Sequence, residues 1–299
     1  MDFAIKRGLT AAMAALALAG CAAQPFERAS AGKAVRADRQ VEAQASAFES
    51  FMRNARAIDA DFAGPAAVTE GLRVGSGYEP KQMEAGMIAY AAMAALQEPR
   101  FVAGVRKAAR DKTLAKRLAA QPATAVTLPG ADAGAARANA ALYRQGAALA
   151  EGGAKVKKAS YSVQRQSWAN ATVPDARGRL TRVKQISSAG YRPDGGDQAR
   201  LYAALADGGR RNGPPSPAVT RGLAVAALTV LGDDAKARSL MSEPKSGMCL
   251  RVAKLNLYQC LASAGPYYED IYCLAQHGML EPASCATDAA KPPIRTARS

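Results

Sequence analysis

The sequence predicts an all-α fold: an irregular bundle of helices that ends in a disulfide-linked helical hairpin. Three observations lead there. Alanine, the best helix former, is abundant in every segment, while aromatic residues make up only 6% of the chain. The alternation of β-branched, aromatic and polar residues that marks strands is nearly absent, and residues 181–186 are the one fair candidate. Apolar residues recur instead at helical spacing between Gly and Pro punctuation. With 299 residues the chain is long enough for one large or two small domains with a real core.

Taken in order, residues 41–61 read as a helix with Phe48, Met52, Ala55 and Asp59 on one stripe, ended by Gly64-Pro65. Residues 71–78 hold three glycines and read as a turn. Pro80 suits a first helical turn, and Met83, Met87, Tyr90 and Ala94 then follow at i, i+4, i+7 and i+11. At that spacing the methionines are expected in the core rather than on a ligand surface. Two short helices should cover 99–110 and 113–120. After Pro129-Gly130, residues 131–168 read as one long helix, broken or bent near Gly152-Gly153. Leu142, Leu149, Val156 and Val163 recur every seven residues, with Gly146, Gly153 and Ser160 between them. A seven-residue repeat is the coiled-coil signature. With about three heptads and small residues where knobs should be, packing within the chain is expected instead. Residues 190–217 are rich in turns around a short helix at 197–206. Helices at 217–231, 234–241 and 248–264 follow, and Gly265-Pro266 starts a last one that runs to 280. No repeat at a fixed period is visible.

The amino-terminal residues carry the address. Lys6-Arg7 precedes a short apolar run that ends in Leu18-Ala19-Gly20-Cys21. A basic stretch, an apolar stretch and a small-residue cleavage site describe a secretory signal peptide, and the run is shorter than the ~20 residues a membrane span needs. The tetrapeptide resembles the lipobox of bacterial lipoproteins. The resemblance implies cleavage before Cys21, diacylglycerol on its sulfur and acylation of the new amino terminus. Ala22 in place of Asp implies, by the enteric sorting rule, the outer membrane with the body facing the periplasm. The expected organisation is a signal peptide over 1–20, a lipidated tether over 21–40, a helical domain over 41–210, a C-terminal helical region over 211–285 and a disordered tail over 286–299.

Four further cysteines, Cys249, Cys260, Cys273 and Cys285, fall close together, and an even number in an exported chain reads as disulfides. Cys249 and Cys260 are eleven residues apart on one expected helix. That separates them by ~16 Å, beyond the ~7 Å Cα limit of a disulfide, but leaves both on one face. In a hairpin turning at Gly265, Cys260 meets Cys273 and Cys249 meets Cys285. The nested geometry resembles the twin-cysteine helical hairpins of small oxidised proteins, although the spacings differ from theirs. The spacing does not suit zinc, and neither a metal nor another cofactor is expected.

The formal net charge is +15, and loss of residues 1–20 removes Lys6, Arg7 and Asp2. Such a balance ordinarily points to nucleic acid, but an envelope lipoprotein rarely meets it. The anions within reach are lipid head groups, lipopolysaccharide phosphates and cell-wall polymers. The densest basic stretch comprises Lys155, Lys157, Lys158, Arg165, Arg177, Arg179, Arg182 and Lys184, with Tyr161 and Trp168 interleaved. These eight are the candidate anion-binding residues.

Catalytic motifs are weak. His277 is the only histidine and is expected to cap a helix C-terminus. Ser242 and Lys245 match a Ser-x-x-Lys nucleophile pattern, but Pro244 lies between them and no Lys-Thr-Gly accompanies them. Glu49-Ser50 faintly resembles the catalytic pair of lytic transglycosylases, without the Gly-Leu-Met-Gln element that should follow. The expected function is therefore non-enzymatic: an envelope scaffold or assembly factor, with a peptidoglycan- or lipopolysaccharide-binding protein as the alternative and a cell-wall hydrolase as the third.

Overall fold

A computed structural model describes residues 37–291. They form an all-α structure; among them there is no strand, only an isolated bridge between Thr172 and Pro266. Cys21 and the lipobox lie outside the described residues.

Helix α1 (Arg39–Arg56) starts where the Asp38 carboxylate accepts from the backbone N–H groups of Gln40 and Val41, an N-cap that satisfies donors left over at a helix start. It therefore begins inside the stretch expected to be tether, and ends five residues before the expected 61. Helix α2 (Pro65–Gly75) replaces most of the expected glycine turn. Gly71 and Gly75 lie under the Leu274 side chain, so these glycines admit a neighbour rather than bend the chain.

Helix α3 (Pro80–Leu96) is the centre. Nearly every residue from Met83 to Ala95 is buried, Met83 and Met87 included. An apolar surface on all sides needs partners on all sides, and α1, the long helix α6 (Ala131–Ser162), α10 (Pro217–Val230) and α12 (Pro244–Ser263) supply them. Contact is close because the residues are small. A Cβ on Gly222 of α10 would lie 2.7 Å from the Ala91 Cβ of α3. Phe48 and Tyr90 put their ring centres 5.2 Å apart across α1 and α3. Helices α4 (Pro99–Ala108) and α5 (Leu114–Ala120) pack against α10, and α4 also against α6.

The boundary expected at 210/211 separates no core. Phe101 and Leu142 before it, and Leu223 and Leu257 after it, belong to one buried cluster, because α10 finds the apolar surface it needs on α3. Helix α6 runs unbroken through Gly152-Gly153, and Leu142, Leu149, Val156 and Val163 are all buried. The small residues between them receive a partner from the same chain. A Cβ on Gly146 would lie 2.6 Å from Thr287 Cγ2 and 2.8 Å from the Ala283 carbonyl. A short turn and α7 (Ser167–Asn170) lead from α6 to α8 (Ala176–Ser188), which contains the one fair strand candidate. Val183 and Ser187, one helical turn apart, are buried there. Helix α9 (Gly195–Ala206) opens on a capping box between Asp194 and Asp197, and α11 (Asp234–Ser239) follows α10.

The last helical run is α13 (Tyr267–Cys273), a π-helical stretch (Leu274–Leu280) and α14 (Glu281–Ala289), without interruption. It passes the expected end at 280 and runs into the expected tail, where Ala286 and Ala289 are buried. Proline cannot donate to the carbonyl four residues back and its ring crowds it; Pro282 follows a widened turn that absorbs this misfit. The disulfides are Cys249–Cys285 and Cys260–Cys273, with Cα atoms 5.8 and 5.6 Å apart, the nested pairing the hairpin geometry predicts. On α12 the partners are eleven residues apart, and on the facing run twelve. At ~100° per residue, twelve positions overshoot one face by ~120°. A π turn takes in one extra residue, so both cysteines return to the face that meets α12.

Candidate functional site

The eight basic residues do not share one face. Lys155, Lys157 and Lys158 ride on the end of α6, Arg165 on the turn after it, and Arg177, Arg179, Arg182 and Lys184 on α8. Lys158, Arg165, Arg177 and Lys184 are exposed. Lys155 pairs with Glu151 at 2.8 Å and Arg182 with Asp175 at 3.3 Å, both at the surface, where such pairs contribute little. Lys157 turns inward: its amine donates to Gln276 Oε1 at 2.9 Å and lies 5.2 Å from the Tyr272 ring centre.

Arg179 is not a surface cation. Only 5% of it is exposed, because it lies one turn before Val183 on the buried face of α8. Its guanidinium donates to Asp270 Oδ1 at 2.5 Å and to the carbonyls of Leu261 and Ala264, bracing α8 to the turn between α12 and α13. Burial pushes the Asp270 carboxyl up to about 6, Arg179 pulls it down and Glu269 adds to the rise. Beside the pair lies a cavity of about 250 Å³ with Leu72, Val173, Val183 and Tyr267 in its wall.

Three more buried charged groups escaped the sequence reading. Lys254 is 4% exposed. Its amine donates to the Ser76 carbonyl at 2.9 Å and lies 3.4 Å from the centre of the Tyr78 ring. Burial holds its pKa well below that of an ordinary lysine, with Glu79 opposing. The signal was present: Lys254 interrupts the inward stripe of Leu250, Leu257 and Leu261 at the i+4 place. Asp197 gathers Arg53, Tyr191 and Arg200 at 3.1, 2.6 and 3.3 Å. Burial would raise its carboxyl, but donors led by Tyr191 and Ser50 outweigh burial and leave it below the ordinary value. Its capping spacing from Asp194 was legible, its burial was not. Glu84 accepts from the Ser242 hydroxyl at 2.7 Å and from the backbone N–H of Glu243 at 2.5 Å.

The weak catalytic motifs are tied into the same kind of bracing. Glu49 is buried and accepts from Arg53 Nε at 3.2 Å, and the Ser50 hydroxyl accepts from Arg53 Nη2 at 3.2 Å. Ser242 precedes α12 while Lys245 lies within it. His277 caps no helix end: it sits inside the π stretch with Nδ1 2.7 Å from a Glu281 carboxylate oxygen, because the helix continues past it. Comparison with protein-family models, with curated proteins and with solved structures finds no match to this chain.

Proposed function

We propose that the chain is a cell-envelope lipoprotein, anchored through Cys21 in the outer membrane with its helical body facing the periplasm, and that it acts without catalysis as a scaffold or assembly factor. The single observation that supports this best is the conjunction of a lipobox with two nested disulfides, since disulfides persist in oxidising, exported compartments. The buried charged groups favour binding over chemistry, as each is engaged by a neighbouring helix or turn. Two or more acyl chains, at ~0.8 kcal/mol per buried CH₂, anchor stably where one does not. Labelled palmitate should enter the protein, and Cys21→Ser should abolish labelling and release the protein from carbonate-washed membranes. A variant that stays on the membrane unlabelled would sink the anchor.

A second reading, binding of an anionic cell-wall polymer, draws support from α8 and α12. They carry Arg177, Arg182, Lys184, Lys245 and Arg251 at the surface and no carboxylate in either helix. Salt-sensitive sedimentation with purified peptidoglycan separates it from the first.

A further inference from the structure

Helix α12 is packed on one side and bare on the other. Leu250, Leu257 and Leu261 are buried, and Cys249 and Cys260 are bonded to the last helical run. Met248, Val252 and Leu255 are 57%, 45% and 52% exposed. Among large apolar side chains these are unusually bare, and they are not scattered. At ~100° per residue the three fall within ~60° of the helix circumference. Arg251 borders this stripe on one side and Lys245 on the other, both exposed.

Beyond Arg251 lies α8. Its Lys184 amine stands 5.7 Å from the ring centre of Tyr258 on α12. A cleft of about 370 Å³ between the two helices has Ser187, Arg251, Leu255 and Tyr258 in its wall. The acids nearby are engaged: Glu79 caps α3 at the edge of the same cleft, Asp175 pairs with Arg182, buried Glu84 lies 4.0 Å from Arg251 and accepts from Ser242 and Glu243, Glu243 caps α12, and Glu281 takes Asn256 and His277. Among the described residues no helix is long and apolar enough to cross a membrane.

A narrow apolar stripe between two cationic borders fits an interface whose interior is apolar and whose rim is negative. A second copy of this face would set cations against cations. We propose that α12 and the adjoining cations of α8 lie on an anionic lipid bilayer surface. Met248, Val252 and Leu255 enter the headgroup boundary, and Lys245, Arg251 and Lys184 reach lipid phosphates, as long basic side chains do at membrane interfaces. The two disulfides tie α12 to the last helical run along its flank, ~90° around from the stripe, so the stripe is presented already formed and little ordering opposes binding. This contact belongs to the folded body and does not rest on the Cys21 anchor.

Hydroxyl-radical footprinting of the full chain, with and without Cys21→Ser, tests it. The chain is mixed with vesicles of phosphatidylglycerol and phosphatidylcholine, or of phosphatidylcholine alone. Met248 should lose its oxidation on the anionic vesicles only, in both chains, and regain it in high salt. At about 1 kcal/mol per cation near the surface, Lys245→Gln with Arg251→Gln should weaken the protection about thirtyfold in vesicle concentration. Lys112→Gln with Lys116→Gln, on and beside α5, should leave it unchanged, and thermal melting checks that every variant is folded. Equal Met248 oxidation with and without anionic vesicles overturns the proposal. So does equal protection on both vesicle types, or protection that follows protein concentration without vesicles, which would assign the face to a second copy. Protection present with Cys21 and absent with Cys21→Ser would show that the anchor alone brings α12 down, and overturns it as well. Failure of palmitate labelling leaves this test untouched.

Discussion

Around α3 the helices meet through alanine, glycine and methionine. Ala91 faces Gly222 and Phe48 leans on Tyr90, whose hydroxyl accepts from Gln145. Around α12 they meet through two disulfides, the buried Arg179–Asp270 pair and an amine held over a tyrosine ring. Small side chains lose almost no rotamer freedom on burial and leave no donor or acceptor to satisfy. They let backbones approach until many weak dispersion contacts accumulate. The α12 side has a helix bare along one face and fewer apolar partners, and it is fastened at a few discrete points. The two regions should therefore fail differently: the first when atoms are added, the second when a partner is taken away.

The largest effect should come from Arg179→Met, which leaves the Asp270 carboxylate buried without its counter-charge. Breaking such a pair from one side costs about 3–5 kcal/mol, read as a lower denaturation midpoint. Arg179→Met combined with Asp270→Leu should recover much of that loss, since an apolar pair has no charge to strand. The pH dependence sharpens the same point. The folded carboxyl titrates at about 6, above its ordinary 3.8. Between these values the native state holds more protons than the unfolded state, so this group's share of stability is full below about 4 and is lost as pH rises through about 6. Asp270→Asn should remove that slope from the measured stability curve.

Next come the disulfides, whose cysteines are 36 and 13 residues apart in sequence. In the chain-entropy account the outer bond contributes about 4 kcal/mol and the inner about 3, so Cys249→Ser should lower the melting temperature more than Cys260→Ser. Thiol titration of the Cys260→Ser chain should find one more free thiol than the parent chain, at Cys273, with the outer bond intact. Equal losses from the two would mean that strain or residual structure, not loop length, governs them.

The smallest effect belongs to the other region. Gly222→Val drives a Cβ against Ala91 and the Ile88 carbonyl and adds two methyl groups beyond it, and should cost about 1–3 kcal/mol as overpacking. Ala91→Gly in the same chain should return part of it. If Gly222→Val proves neutral, α10 and α3 are not pressed together as described, and the contrast between the regions weakens.

The apolar core was readable from period alone. Met83, Met87 and Tyr90, the sevens from Leu142 to Val163, and the paired cysteines each place residues by spacing, and spacing survives folding. Charge did not read as well. Composition counts Arg179 with its neighbours on α8, whereas only its place one turn before Val183 reveals that it points inward. Lys254 looked like any helix-surface lysine until its register with Leu250 and Leu257 is noticed. Glycine was ambiguous in a different way: Gly71 and Gly75 carry the composition of a turn, and only the arrival of Leu274 from the far end of the chain shows why a helix needs them. The last helix, expected to stop at 280, instead widens by one residue before Pro282 and continues.

The nesting of the two disulfides also sets a schedule. A chain that emerges amino terminus first presents Cys249, then Cys260, then Cys273, and Cys285 last of all. Partners taken in order of arrival would join Cys249 to Cys260. Helix α12 forbids that by holding them ~16 Å apart once it has formed. The inner bond can close as soon as α13 folds back beside α12, while the outer one must wait until α14 follows. A formed α12 thus decides the pairing: it keeps its own two cysteines from each other and leaves each a partner only on the returning run.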